Sequence, residues 1–253
     1  MGVKKLSGLI VVAAIFCIAA LAQAESYPPF EEALTALESD EQVLVTTESL
    51  PWGFVNTSYY VFEPQGGTAS RGFIIYPGGL LDSRSYAPAA RAIAEAGYLV
   101  IIVSMPFDLA PFGWKRANQI LRKYVEVENW TLGGHSVGGS FSCKYILKYP
   151  EKINSLVLWA STPSIEFDLA DTDVQAISIY GTNDYYPEQL AEAADFLPEG
   201  TPFVVIEGAN HTQFGWYDTS PDPHQTHDYP ADITIEEQQE KIVEATVDFL
   251  DGL

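Results

Sequence analysis

Trp130-Thr131-Leu132-Gly133-Gly134-His135-Ser136-Val137-Gly138-Gly139 is the stretch that decides how this chain folds. Trp130–Gly133 is short and apolar, as a buried strand should be, and Val137–Tyr149 has the apolar spacing of a helix that stops before Pro150. Between them, Gly134-His135-Ser136-Val137-Gly138 fits the spacing G-x-S-x-G. That spacing suits a tight strand-to-helix turn: the glycines let the backbone bend and the helix pack close, and the serine is left at the tip. Alone the pattern is weak, and the strand before it and the helix after it give it weight.

The same alternation extends in both directions. Tyr59–Phe62, Gly72–Tyr76 and Tyr98–Ser104 read as strands upstream, the last a near-continuous apolar run suited to a parallel strand covered on both faces. Ile153–Ala160, Ala176–Tyr180 and Phe203–Ile206 are strands downstream. Tyr86–Ala96, stopped by Gly97, Trp114–Tyr124 and Pro187–Phe196 read as helices. Ile233–Leu250 closes the chain as an amphipathic helix opened by a Thr234/Glu237 capping box, with Ile242, Thr246, Phe249 and Leu250 on one stripe. Phe30–Leu37 suggests a further helix and Val43–Thr47 an edge strand. Strands alternating with helices imply an α/β fold: a mostly parallel sheet with helices on both faces. No repeat or linker divides it, so residues 25–253 are expected to form one domain.

Composition limits the partners. The 253 residues carry 34 Asp+Glu against 13 Lys+Arg, a formal charge of −21. Such a chain is a poor ligand for nucleic acid or an anionic membrane surface, and after Lys152 its only base besides histidine is Lys241. Two cysteines make neither a disulfide scaffold nor a cysteine-rich zinc site, and no metal or cofactor is implied. Lys4 and Lys5, the apolar run Leu9–Leu21 and Ala22-Gln23-Ala24 have the form of a secretory signal peptide over residues 1–24, cleaved after Ala24. The alternative is an uncleaved anchor, although the run is short for a bilayer span. Export to the periplasm or exterior is therefore expected, with no stable membrane association afterwards. Cys143 would then be the sole thiol, buried in an apolar helix.

Four blocks together resemble the α/β-hydrolase superfamily, in its small, lidless, dienelactone-hydrolase-like form. They are Tyr76-Pro77-Gly78-Gly79-Leu80, Gly134–Gly139, Tyr180-Gly181-Thr182-Asn183-Asp184 and Gly208-Ala209-Asn210-His211. The resemblance spans about Tyr59 to Leu250 and supplies the family's order of nucleophile, acid and base. It implies Ser136 as nucleophile, Asp184 as the acid after its strand and His211 as the base, with no cap domain. Backbone N–H groups of Val137 and of Gly79 or Leu80 would hold the oxyanion. The family's common His-Gly form is replaced here by Pro77-Gly78, which leaves the second donor open.

The remaining histidines read otherwise. His135 is a packing residue within the turn, and His224 and His227 are surface residues of an acidic loop, too few for a zinc site. Only Ser161–Val174 separates the strands where a cap would enter, so the site is expected to be open and suited to small acyl groups. Phe214 and Trp216, just after His211, are the candidates for lining it. The expected activity is a carboxylesterase-like serine hydrolase acting on small-molecule esters. An amidase, peptidase or acyltransferase with the same triad is the alternative, and a non-catalytic binding protein of this fold is the reading from another class. Asn56, Asn129 and Asn210 begin glycosylation sequons; Asn210 adjoins the proposed base, which favours chance sequons over glycans.

Overall fold

In the computed structural model, residues 26–51, 53, 55, 57–66, 69–184, 187–220 and 228–253 are described. The proposed leader, Asn56, His224 and His227 lie outside them. In chain order the elements are α1 (Glu31–Thr35), β1 (Val43–Ser49), β2 (Ser58–Pro64), β3 (Arg71–Tyr76), α2 (Ala87–Glu95), β4 (Leu99–Val103), α3 (Ala110–Gly113), α4 (Ala117–Lys123), β5 (Asn129–His135), α5 (Val137–Lys148), β6 (Ser155–Trp159), β7 (Gln175–Gly181), α6 (Pro187–Glu192), β8 (Phe203–Ile206) and α7 (Ile235–Asp251).

The sheet has eight strands in the order β1-β2-β4-β3-β5-β6-β7-β8. β1 and β2 pair antiparallel, as do β2 and β4, and every other pairing is parallel. All residues of β4 and β6 are buried, because helices cover both faces of the parallel part. Alternate residues of β3 serve two cores. Phe73 and Ile75 pack with Ala90 and Ile93 of α2 and Ile242 of α7, while Ile74 and Tyr76 pack with Ile120 of α4 and Cys143 and Ile146 of α5. Burial of the Cys143 side chain pushes its thiol pKa up, so it behaves as an apolar residue.

The expected helix Trp114–Tyr124 is shortened to Ala117–Lys123, with a separate turn at Ala110–Gly113 before it, and Pro187–Phe196 divides into α6 and a 3₁₀ turn at Ala193–Phe196. Tyr76 explains the break before Ala117: its hydroxyl donates to Trp114 O at 2.7 Å and accepts from Ala117 N at 3.0 Å, satisfying the interrupted backbone. The capping box of α7 forms as expected, with Thr234 Oγ1 accepting from Glu237 N at 3.2 Å. Between β6 and β7, where a cap would enter, the only helical element is a 3₁₀ turn at Ile165–Phe167.

Candidate active site

Ser136 sits between β5 and α5 with φ 53° and ψ −127°, a backbone conformation costly for a residue with a Cβ. Its surroundings impose it. Ser136 N donates to Trp159 O on the neighbouring strand at 3.0 Å, and Ser136 O accepts from Ser161 Oγ at 2.6 Å and from Ser140 N at 3.2 Å. The flanking glycines are there for close approach. A Cβ on Gly134 would lie 2.4 Å from Tyr76 O, and one on Gly138 would lie 2.2 Å from Tyr76 O and 2.3 Å from Pro77 O. The spacing in the sequence is thus the imprint of α5 pressing on the end of β3.

That contact also brings the loop after β3 to the start of α5, where its donors can be audited. Pro77 has no N–H, Gly78 N donates to Tyr86 Oη at 2.9 Å, and Leu80 N donates to Asp108 O at 2.8 Å. Leu80, one of the two expected oxyanion donors from this loop, is therefore excluded because its N–H is already bound. Gly79 N and Val137 N have no partner among the described residues. They are neighbours: a Cβ on Gly79 would stand 3.1 Å from Val137 Cγ1. Two unspent backbone donors side by side at a helix start can hold a developing negative charge.

Asp184 and His211 lie in the loops after β7 and β8. His211 Nδ1 is 3.1 Å from Asp184 Oδ2 and 3.3 Å from Oδ1, and the Asp184 side chain is 1% exposed. The two loops are tied together, with Thr182 N donating to Ile206 O, Asn183 N to Ala209 O and Gly208 N to Thr182 Oγ1. A carboxylate so placed fixes the imidazole tautomer and stabilises its protonated form.

The backbone at His211 is held by side chains that the sequence did not single out. Asp228 accepts from His211 N at 3.1 Å and from Thr212 N at 2.5 Å. Burial raises its pKa, against the lowering effect of those N–H groups. Fully buried Gln238 accepts from Asn210 N at 3.0 Å and donates to Asn210 O at 2.7 Å. Asn210 spends its own amide on Tyr229 O, so this sequon is sealed inside the fold.

His135, expected to pack, does so against the proposed base. The two rings stand 4.5 Å apart, and Phe214 stacks on His135 at 5.6 Å and 6°. Burial first, and the His211 charge second, push the His135 pKa well below the ordinary range, keeping the ring neutral. Phe214 is consequently a fully buried support and does not line an open pocket. Trp216 also departs from expectation: it lines a groove of about 660 Å³ between α2 and α7, beside Pro88, Ala92, Gln239 and Val243. Among the described residues no group of three or more His, Cys, Asp or Glu is arranged to hold a metal, and no helix is long and apolar enough to cross a membrane.

A family model described as the alpha/beta hydrolase family matches residues 72–240, and the chain belongs to that family. Among solved structures, it resembles an esterase of Pyrobaculum calidifontis at 15% identity and TM-score 0.61, covering 98% of this chain and 92% of that one. A Klebsiella pneumoniae protein assigned as a dienelactone hydrolase matches at 14% and TM-score 0.59, over 83% of this chain and 99% of its own. A predicted CIB-like hydrolase of Thermoplasma acidophilum matches at 18% and TM-score 0.57, over 83% and 100% respectively. No curated protein sequence matches the chain.

Proposed function

We propose that this protein is an exported serine hydrolase that cleaves small carboxylic esters through an acyl-enzyme on Ser136. The observation that carries the reading is the convergence of a strained serine elbow, two unspent backbone donors and an Asp184-paired His211 at one end of the sheet. His211 takes the Ser136 proton as the hydroxyl attacks the ester carbonyl, and Asp184 stabilises the imidazolium that forms. The tetrahedral oxyanion is held by the N–H groups of Val137 and Gly79. His211 then gives its proton to the leaving alcohol, and water attacks the acyl-serine by the reverse sequence. The esterase and dienelactone-hydrolase likenesses support a hydrolase, and the short segment between β6 and β7 supports access for small acyl groups. Export rests on the leader-like residues 1–24, with residues 25–253 as the single mature domain.

The test is hydrolysis of p-nitrophenyl esters from acetate to laurate by residues 25–253, beside Ser136→Ala. Turnover greatest on short chains is expected, with Ser136→Ala reducing kcat by about 10⁴ or more and His211→Ala and Asp184→Asn by about 10³ or more. Ester turnover that survives in folded Ser136→Ala would contradict the mechanism. Turnover of amides alone would move the substrate class while keeping the triad.

A further inference from the structure

Tyr86 is fully buried at the end of the 3₁₀ turn leading into α2, and its hydroxyl has two neighbours. Gly78 N lies at 2.9 Å and His135 Nδ1 at 2.8 Å. A backbone N–H only donates, so Tyr86 Oη accepts from Gly78. The single phenolic hydrogen is then free to go to His135 Nδ1, which makes that nitrogen an acceptor and puts the imidazole hydrogen on Nε2. The opposite tautomer would aim both Gly78 N–H and Nδ1–H at the phenolic oxygen and leave the phenolic hydrogen without an acceptor. The chain therefore has one direction: Gly78 N–H to Tyr86 Oη–H to His135 Nδ1.

What it connects is the two halves of the candidate site. Gly78 precedes Gly79, whose N–H has no partner among the described residues, and a Cβ on Gly78 would fall 2.9 Å from His135 Nδ1 and 3.1 Å from Tyr86 Oη. His135 precedes Ser136, and its ring is 4.5 Å from that of His211. We propose that Tyr86 and His135 are positioning residues, a buried hydrogen-bonded relay that fixes the Gly79 N–H against the elbow and gives the His211 ring the surface on which it rests. The inference rests on the reading of Ser136 as nucleophile and adds two residues that touch neither substrate nor the reacting atoms.

Loss of the relay should blur the oxyanion donor without emptying the ester site. In Tyr86→Phe, kcat should fall about 10- to 100-fold, less than the 10²- to 10³-fold typical of deleting a donor outright, while KM stays within about threefold. Affinity for a short-chain alkyl trifluoromethyl ketone, whose hemiketal oxyanion needs both donors, should fall by the same factor as kcat. A core contact acting only through stability would lower the melting temperature and leave both readouts unchanged in the folded protein. His135→Leu should resemble Tyr86→Phe, and the double variant should be little worse than the poorer single one. His135→Asn, whose amide oxygen falls where Nδ1 lies, should recover part of the loss only when Tyr86 is present, and it covers the case in which His135→Leu does not fold. Full kcat and full ketone affinity in folded Tyr86→Phe would overturn the proposal. Wild-type turnover in Ser136→Ala, measured in the same series, would instead overturn the reading of Ser136 and the proposal with it.

Discussion

At Ser136 the backbone is fixed by contacts too close to admit a Cβ, whereas at His211 it is fixed by polar side chains reaching in from residues 228 and 238. Around the elbow, Gly134 and Gly138 press on the carbonyls of Tyr76 and Pro77 at the end of β3, so the constraint is backbone against backbone. Around His211, Asp228 binds two N–H groups and Gln238 brackets Asn210. Steric constraint of the first kind permits one conformation or none. Hydrogen bonds of the second kind are worth a few kcal/mol together and can be removed one at a time.

The two regions should therefore fail differently. Gly138→Ala drives a Cβ into two backbone carbonyls that cannot rotate aside, and a loss above about 4 kcal/mol, or no soluble fold, is expected in urea unfolding. A loss below about 1 kcal/mol would show that the elbow yields, and the contrast would break. Gln238→Leu strands the N–H and C=O of Asn210 inside the protein, and a loss of about 2–4 kcal/mol with a folded product is expected. Asp228→Ala should cost about 1–2 kcal/mol and lower kcat roughly tenfold through a looser His211, with KM nearly unchanged. A kcat effect equal to that of His211→Ala would promote Asp228 from support to reacting group.

The smallest expected effect belongs to the carboxyl of Asp108, whose carbonyl binds Leu80 N. Burial raises its pKa to about 6, with Asp82 adding to the rise and Ser26 and Arg84 opposing it. A carboxyl that takes its proton more readily when folded stabilises the fold below its unfolded pKa of 3.8, and that stabilisation is lost as pH rises through about 6. Asp108→Asn should accordingly match the wild type near pH 4 and exceed it by about 1–2 kcal/mol at pH 7, after allowance for partial solvent access. Urea unfolding at the two pH values measures the difference, and a variant less stable at pH 7 would contradict the assignment.

The same contrast explains what the sequence let one see. The elbow, the parallel sheet around it and the Asp184 and His211 loops were legible because each is written in a few consecutive residues: a strand, a glycine-bearing turn, a helix. Tyr86, Asp228 and Gln238 were not, because each acts on backbone 8 to 28 residues away and has the sequence context of an ordinary polar or aromatic residue. One signal was available. Gln238 stands one turn before Ile242 on the stripe continued by Thr246 and Leu250, and all four are buried, so a polar side chain on that face needed a partner. Leu80 was misjudged because the Asp108 carbonyl that occupies its N–H comes from the loop after β4. Phe214 and Trp216 follow His211 in the chain, but the 3₁₀ turn Thr212–Phe214 carries Phe214 into the core, stacked on His135.

The central claim, that Ser136 is a nucleophile activated by His211, is tested most directly by reaction with a fluorophosphonate followed by mass mapping of the labelled peptide. A single adduct on Ser136 is expected, absent in Ser136→Ala and slowed at least about a hundredfold in His211→Ala. An adduct on any other residue, or an unmodified Ser136 in the folded protein, would contradict it.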